Sequence, residues 1–316
     1  MSRNTPRSGR SAQSSPLTES GDGQRLQKFL ATAGVASRRN CVAYISDGRV
    51  TVNNETITDP SHNVQTEADI VLLDGERLRL PKLKYILLNK PKGVLCTNSD
   101  PAGRARAIDM IPGNRDRLFT VGRLDENTQG LLLLTNDGDL TERMAHPRYE
   151  VVRRYKAQVA GVPAPDVLIQ LRRGMHFTDG FFRFRNVHFI KRRGHSAFLE
   201  IELREGKNRE VRRMLARCGH KVIQLERIAF GPLRLGNLKV GECRQLRAAE
   251  VRELQKFVAR GPEENTERGP ANRTGNGKGK GKTGRRPARK SAPTSDRSTD
   301  RPVDRPTVRR RSQPKR

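Results

Sequence analysis

Residues 121–138 read VGRLDENTQGLLLLTNDG and combine a charged, turn-prone segment with an apolar run. The centre of this stretch is a run of four leucines at 131–134, which is typical of a buried strand. Asp125 lies in the polar, turn-prone segment before that run and follows Arg123 by two residues. In an extended segment these two side chains face the same side, because side chains alternate along a strand. A charged pair at the mouth of a buried strand indicates a functional site, although a surface turn entering a core strand also explains these residues on their own.

The flanking sequence, residues 84–258, is rich in strand patterns. Alternating or β-branched apolar content predicts strands at 85–88, 117–121, 131–134, 154–159, 181–190, 196–203 and 222–228. Helical spacing predicts helices at 139–145, 163–172, 208–218 and 248–258. Long antiparallel runs with a few packed helices predict an α+β fold, with a mixed, mainly antiparallel sheet flanked by helices.

A smaller unit begins at residue 24. Apolar residues at helical spacing predict a first helix that ends at Gly34, and Ser37 is expected to cap a second helix. Residues 49–52 predict a strand, and Asn53-Asn54 predicts a tight turn after it. Cations on this unit make it a candidate RNA-binding module, although a solvated basic face would carry the same residues. The candidates are Arg25, Lys28, Arg38 and Arg39.

Charge indicates a polyanionic partner. The formal net charge is +29. Residues 260–316 carry 18 Lys and Arg against 6 Asp and Glu, and residues 24–259 carry 42 against 26. Cation contacts to phosphate release counterions, so nucleic acid is the expected partner. An anionic membrane surface is weaker as a partner, because the chain lacks an amphipathic basic helix with Trp or Phe on its apolar face.

Both ends are expected to be disordered. Residues 1–23 contain a single leucine, and residues 261–316 contain no Leu, Ile, Phe, Met, Tyr or Trp. Such segments bury too little apolar area to offset the entropy of ordering. We therefore predict a disordered N-terminal arm at 1–23 and a disordered basic tail at 259–316 that holds RNA without sequence preference.

The sequence shows neither a secretory signal nor a membrane-spanning run, so a cytoplasmic location is expected. The four cysteines are far apart and form no CxxC pair, and the six histidines are scattered. This arrangement argues against a zinc ribbon or a redox dithiol, and the cysteines are expected to be small core residues in a reducing compartment.

Three further segments accompany the Asp125 region. Residues 89–94, NKPKGV, predict a strand end with a turn. Residues 153–156, RRYK, begin a strand, and residues 205–214, EGKNREVRRM, place a glycine turn before a helix. A helix N-terminus that presents Lys207 and Asn208 suits phosphate or carboxylate binding. Singly, each segment is also explained as ordinary turn, strand or helix start.

In order and spacing, these segments resemble the ribosomal RNA pseudouridine synthases of the RsuA/RluB/RluE/RluF group. GRLD at 122–125, with Thr128, Gly130 and LLLLTNDG at 131–138, resembles the catalytic motif of that group. NKPKGV resembles its first motif, and EGKNREVRRM resembles its last. Residues 24–66 resemble an S4 domain, a small αL-type RNA-binding module. The resemblance covers residues 24–258, and one departure is Arg154, where a carboxylate often precedes the tyrosine.

The resemblance implies an S4 domain with its linker at 24–83 and a catalytic domain at 84–258. It implies that Asp125 is the nucleophile, that Arg212 forms a salt bridge to it, and that Tyr155 stacks on the target base and transfers a proton. Arg123 would insert where the flipped base had been. Lys90 would contact phosphate or support the site, and Lys207 and Asn208 would bind substrate. Whether Asp125 attacks the sugar or the base, or acts through a glycal, stays open.

The substrate that the resemblance implies is ribosomal RNA, either naked or in an assembly intermediate, bound by a monomer without a cofactor. The S4 module and basic tail favour the group member that acts on 23S rRNA, with 16S rRNA as the alternative. A non-catalytic RNA-binding assembly factor is the other alternative, and the intact set of Asp125, Tyr155 and Arg212 argues against it. A DNA-binding protein is disfavoured, because no helix-turn-helix, finger or zipper pattern occurs.

Overall fold

The computed structural model describes residues 23–114 and 116–260. Most of the predicted N-terminal arm, up to residue 22, and of the predicted basic tail, from residue 261 onward, lies outside the described residues. The predicted bounds are wrong by one or two residues, because Gly23 begins a strand and Ala259 ends a helix that Arg260 follows. None of the described helices is long and apolar enough to cross a membrane.

The N-terminal unit combines two helices with short strands. Its elements are β1 (Gly23–Arg25), α1 (Leu26–Thr32), α2 (Arg38–Ser46), β2 (Val50–Val52), β3 (Glu55–Thr56), β4 (Asn63–Gln65), β5 (Val71–Leu73) and β6 (Glu76–Arg77). The predicted cap is confirmed, because Ser37 Oγ accepts a hydrogen bond from Asn40 N at 3.1 Å. The predicted turn is also confirmed, since Asn53 and Asn54 both have positive φ. Leu26, Leu30 and Ile45 are fully buried in the core of this unit.

The larger unit begins at Tyr85. Its strands are β7 (Tyr85–Lys90), β8 (Phe119–Thr120), β9 (Gln129–Thr135), β10 (Arg153–Ala160), β11 (Met175–Phe177), β12 (Gly180–Phe182), β13 (Asn186–Arg193), β14 (Ser196–Leu203), β15 (Val222–Phe230), β16 (Leu233–Arg234) and β17 (Cys243–Gln245). Its helices are α3 (Gly138–Ala145), α4 (Pro165–Arg173), α5 (Glu210–Arg217) and α6 (Ala248–Ala259), with short 3-10 helices at Ala107–Met110 and Pro147–Tyr149.

Nine of these strands form one sheet, in the order β13-β14-β10-β15-β9-β7-β17, with β16 on β15 and β8 on β9. Every pairing is antiparallel except that of β9 with β15, which is parallel. The predicted mixed, mainly antiparallel sheet is therefore confirmed. The parallel junction matters for the site, because the Asp125 segment leads directly into β9 there.

Helices cover the sheet on two sides. One apolar cluster packs α4 and α5 against β10, β14 and β15 through Leu171, Met214 and Leu215. A second cluster packs α3 and α6 against β7 and β9 through residues that include Leu140 and Leu254. The leucine run supplies both clusters, since Leu132 and Leu134 lie in the first while Leu131 and Leu133 lie in the second. A strand buried on both faces explains the unbroken apolar run.

Two strand predictions were wrong in extent. The strand predicted at 181–190 is interrupted, because Phe184 N bonds Leu171 O at 3.0 Å and draws the backbone under α4. Residues before the break belong to the separate β11–β12 hairpin. The strand predicted at 117–121 is reduced to β8, because Arg117 turns toward the N-terminal unit instead.

Arg117 joins the two units. Its Nη1 donates hydrogen bonds to the carbonyl oxygens of Ala36 and, at 3.4 Å, Ala31. A second contact is the ion pair between Lys28 Nζ and Asp139 Oδ1 at 2.6 Å. The ion pair is exposed and contributes little, whereas the carbonyl oxygens would otherwise lose a charged donor.

Candidate active site

The site forms where three neighbouring strands present their residues side by side. Gly130 on β9 pairs with Arg227 on β15, and Arg227 pairs with Tyr155 on β10. The Asp125 segment precedes β9, and the loop at 204–209 follows β14, whose Leu203 pairs with Arg153. Sheet register therefore brings together segments that are far apart in sequence.

These segments line one cleft of about 570 Å³. Its lining includes six of the residues that the sequence singled out, namely Arg123, Asp125, Tyr155, Lys207, Asn208 and Arg212. Lys90, which the sequence also singled out, does not line the cleft.

The Asp125 segment is a turn held at several points. Thr128 N donates to Asp125 O at 3.0 Å, and Gly93 N donates to Glu126 O at 2.9 Å. Leu124, which is buried, anchors the chain beside Asp125, whose side chain is half-buried. The result is a fixed backbone with one carboxylate presented to the cleft.

Of the two roles predicted for Lys90, the buried position rules out contact with substrate phosphate and agrees with support of the site. The side chain has 0% exposure. Its Nζ donates to Pro91 O at 2.8 Å and Val94 O at 2.7 Å, with a longer contact to Glu126 O. Burial lowers the pKa of Lys90, and the nearby Cys96, Glu126 and Asp125 oppose that shift. Lys90 is therefore an internal clamp for the turns on either side of it.

Arg212 lies beside Asp125, but the direct salt bridge is not formed among the described residues. Its Nη2 donates to Asn127 O at 2.8 Å and approaches Thr128 Oγ1 at 3.5 Å. Burial and neighbouring Arg209 lower the pKa of Arg212, while the charge of Asp125 raises it. The backbone carbonyl captures the guanidinium group, so Arg212 braces the Asp125 turn and acts on the carboxylate at longer range.

Tyr155 points toward the core side of β10 and is 8% exposed, with its ring against the cleft. Arg153, two residues earlier, donates to Ala145 O, Val151 O and Arg204 O. Its pKa is lowered chiefly by burial. Arg154 faces the other side of the sheet and forms ion pairs with Glu200 and Glu202. Arg154, which stands where the family often has a carboxylate, is therefore paired with two carboxylates on the side of the sheet away from the cleft.

Arg227 lines the cleft, and the sequence analysis missed it. It is 1% exposed, and its Nε donates to Leu131 O at 2.8 Å. Its guanidinium lies 4.8 Å from the Phe230 ring centroid, while Nη2 has no hydrogen-bond partner among the described residues. The alternation of side chains along the strand could have indicated it, because Arg227 lies on the same strand face as the buried Leu225 and Ala229.

The loop at 204–209 is shaped by Glu210, the first residue of α5. Its Oε2 accepts a hydrogen bond from Lys207 N at 3.1 Å. Burial raises the pKa of Glu210 to about 7. Lys207 Nζ donates to Phe181 O at 2.6 Å and pairs with Glu205, whereas Asn208 is exposed. Lys207 is thus already engaged, while Asn208 remains open to a ligand.

The remaining predicted cations are distributed differently. Arg123 is exposed and forms no hydrogen bond or ion pair with any described residue, which leaves it available to RNA. Arg25, Arg38 and Arg39 are exposed on the N-terminal unit. Lys28 was also predicted to bind RNA, but in the structure its ammonium group forms an ion pair with Asp139 of the larger unit.

Comparison with known proteins identifies the family of this chain. The family model for RNA pseudouridylate synthases matches residues 84–217, and the S4 domain model matches residues 24–71. The chain belongs to the RNA pseudouridine synthase family and carries an S4 domain.

Individual relatives support the same family assignment. An RNA pseudouridine synthase of Aquifex aeolicus is 42% identical over 235 residues, which is 74% of this chain and 94% of the relative. Ribosomal large subunit pseudouridine synthase B of Bacillus subtilis is 36% identical over 240 residues, covering 75% of this chain and 98% of the relative. A crystal structure of a pseudouridylate synthase aligns with a TM-score of 0.52 at 26% identity, covering 73% of this chain and 99% of that one.

Proposed function

We propose that this enzyme converts one uridine of large-subunit (23S) ribosomal RNA to pseudouridine. The observation that carries the proposal is the convergence of Asp125, Tyr155 and Arg212 on one cleft. The large-subunit assignment is supported by the similarity to the Bacillus subtilis enzyme named for that subunit. The basic surface and S4 domain are suited to RNA.

The reaction is an internal rearrangement. The N1–C1′ bond of uridine breaks, the base turns, and a C5–C1′ bond forms while C5 loses a proton and N1 gains one. No electrons leave the substrate and no group is added, so the chemistry calls for no cofactor. In this proposal Asp125 is either a nucleophile that attacks the sugar or the base, or a general base that removes the 2′ proton to give a glycal. Arg212 keeps a cation near it throughout.

Tyr155 is suited to the base. An aromatic ring at the cleft wall offers a stacking surface for uracil, and its hydroxyl can take part in removing the C5 proton. The target base must first leave its helix, at a cost of a few kcal/mol. Arg123, exposed at the mouth of the cleft, is placed to fill the gap that the flipped base leaves.

We infer that the enzyme works as a monomer in the cytoplasm, on naked ribosomal RNA or an assembly intermediate. The residues proposed for the chemistry, Asp125, Tyr155 and Arg212, lie together within one chain, so the proposed reaction needs no residue from a second copy. The substrate is made in the cytoplasm of bacteria, the source of the similar enzymes.

The test replaces Asp125 by Asn, which keeps the shape of the side chain and removes its charge. A strain carrying only D125N should lose one pseudouridine, mapped across 23S and 16S rRNA by carbodiimide treatment and primer extension. Glu126→Gln is the matched control, because Glu126 is exposed on the same turn and does not line the cleft. If the D125N strain still carries every pseudouridine, the catalytic role of Asp125 is refuted. If the pseudouridine that is lost lies in 16S rRNA, the large-subunit assignment is refuted.

A further inference from the structure

A second groove, of about 300 Å³, adjoins the catalytic cleft. It lies between the end of α4, the chain after β12 and the loop before α5. Glu205, Lys207 and Glu210 line both spaces. The groove is therefore adjacent to the cleft, within reach of a strand whose target base occupies the cleft.

The groove carries unpaired positive charge. Its acids are largely balanced, because Glu150 pairs with Arg204 at 2.8 Å and Glu205 pairs with Lys207 at 2.9 Å. Arg172 and Arg183 are exposed along the groove and form no ion pair with any described residue. Arg172 Nε donates to Leu168 O at 3.3 Å, but neither guanidinium has an acidic partner among the described residues. Two such cations beside neutralised carboxylates favour an anionic ligand, and guanidinium geometry matches phosphate oxygens.

The groove also presents an exposed aromatic ring. Phe181 is 39% exposed although it is large and apolar. Its ring lies 4.9 Å from the ring of His176, and Lys207 Nζ holds its carbonyl oxygen at 2.6 Å. A Cβ added at Gly174 would lie 2.4 Å from Phe181 Cζ, so the ring can occupy this position only because residue 174 is glycine. An exposed ring that packs against His176 offers a surface for base stacking.

We propose that this groove binds the nucleotide next to the target uridine in the same RNA strand, with Arg172 and Arg183 on its phosphates and Phe181 stacked on its base. The proposal rests on the proposed function, since the strand is the one whose uridine occupies the catalytic cleft. Single-stranded RNA is bound by this combination of cations along the backbone and an aromatic platform for the base. The groove would hold the strand in the unpaired form that base flipping requires.

The first test removes the two charges. Arg172→Gln/Arg183→Gln is compared with Arg192→Gln/Arg193→Gln, which loses the same charge from exposed arginines at the β13–β14 turn, outside the groove. The probe is the 23S rRNA stem–loop around the uridine that wild-type protein modifies. The groove variant should bind about ten-fold more weakly than the control variant and reduce the slope of log K against log[salt] by about 1.5, the value for two phosphate contacts. Turnover at saturating RNA should persist.

The second test concerns the ring. Phe181→Ala should weaken binding by about ten-fold, while Phe181→Tyr should restore it and Phe189→Ala, an exposed phenylalanine outside the groove, should have no effect. A 4-thiouridine placed beside the target should crosslink to residues 174–185 under ultraviolet light.

The outcomes separate the two proposals. Wild-type activity together with groove variants that bind like their controls overturns the groove assignment alone. A stem–loop that crosslinks elsewhere does the same. If wild-type protein modifies no 23S uridine, the proposed function fails and the groove assignment falls with it.

Discussion

Glu210 shows at the scale of one residue how the fold controls a charge beside the cleft. Its carboxyl group is 5% exposed, and it holds the backbone of Lys207 in the loop that lines the cleft. Burial raises its pKa from the ordinary value of 4.5 to about 7. The native protein therefore binds this proton more tightly than the unfolded chain does.

A pH dependence of stability follows. A raised native pKa stabilises the fold fully below about pH 4.5, and that contribution is lost as pH rises to about 7. The difference is about 3 kcal/mol at about 1.4 kcal/mol for each tenfold change in proton affinity. Glu210→Gln keeps an acceptor for Lys207 N and carries no charge. Its stability relative to wild type should therefore rise by about 3 kcal/mol across this window.

Urea unfolding of both proteins between pH 4.5 and pH 8 measures this difference. Glu253→Gln, an exposed acid on α6, is the control for removing a surface carboxylate. A constant difference between the Glu210→Gln variant and wild type across the window would contradict a buried, proton-binding Glu210.

At the scale of elements, the parallel pairing of β9 with β15 is the joint on which the site depends. Gly130 makes this joint possible, since its φ is +110° and an added Cβ would lie 2.4 Å from Arg227 O and 2.6 Å from Arg227 N. Those contacts are with backbone, which cannot rotate away. Any side chain at 130 would push β15 from β9, and with it the row that aligns Asp125, Arg227 and Tyr155.

Gly130→Ala should therefore lower the free energy of unfolding by about 3 kcal/mol or more, because it adds a backbone clash to conformational strain. Gly236→Ala is the matched control, since Gly236 has φ +60° and nothing within 4 Å of an added Cβ. That control bears only the strain of a left-handed alanine, about 1–2 kcal/mol. If urea unfolding gives the same loss of unfolding free energy for both variants, the close approach of β9 and β15 does not contribute to stability.

For the whole molecule, the S4 domain and the catalytic domain are joined mainly through one side chain, Arg117. Arg117 inserts into the turn between α1 and α2 and satisfies the carbonyl groups of Ala31 and Ala36. The exposed Lys28–Asp139 pair adds a second, weaker link. Together these contacts leave Arg38 and Arg39 on the S4 domain facing solvent.

Arg117→Ala should loosen the S4 domain, because two carbonyl oxygens lose their charged donor at once. Hydrogen exchange should accelerate in α1 and α2, while β9 and β10 keep their protection. Lys28→Ala is the control and should change exchange less, since an exposed ion pair is worth about 0–1 kcal/mol. Unchanged exchange in α1 and α2 of the Arg117→Ala variant would mean that Arg117 does not hold the domain.

Local pattern by itself determined the helices, most strands and the segment that bears Asp125. The unbroken leucine run predicts a buried strand. Ser37 predicts a helix cap, and Asn53-Asn54 predicts a tight turn, because these residue types favour those conformations. The net positive charge predicts a polyanionic partner. Motif order brought Asp125, Tyr155 and Arg212 into one hypothesis, and the structure places them around one cleft.

Only the tertiary structure decided which cations are free. Lys90 is enclosed by backbone carbonyls, Lys28 is paired with Asp139, and Arg212 is bound to Asn127 O. Arg227, unremarked in its strand, lies in the cleft because β15 pairs with β9 and β10 at once. The reason is that a lysine or arginine has the same charge wherever it stands, while its burial and its partners come from segments distant in sequence, which only the packed chain brings together.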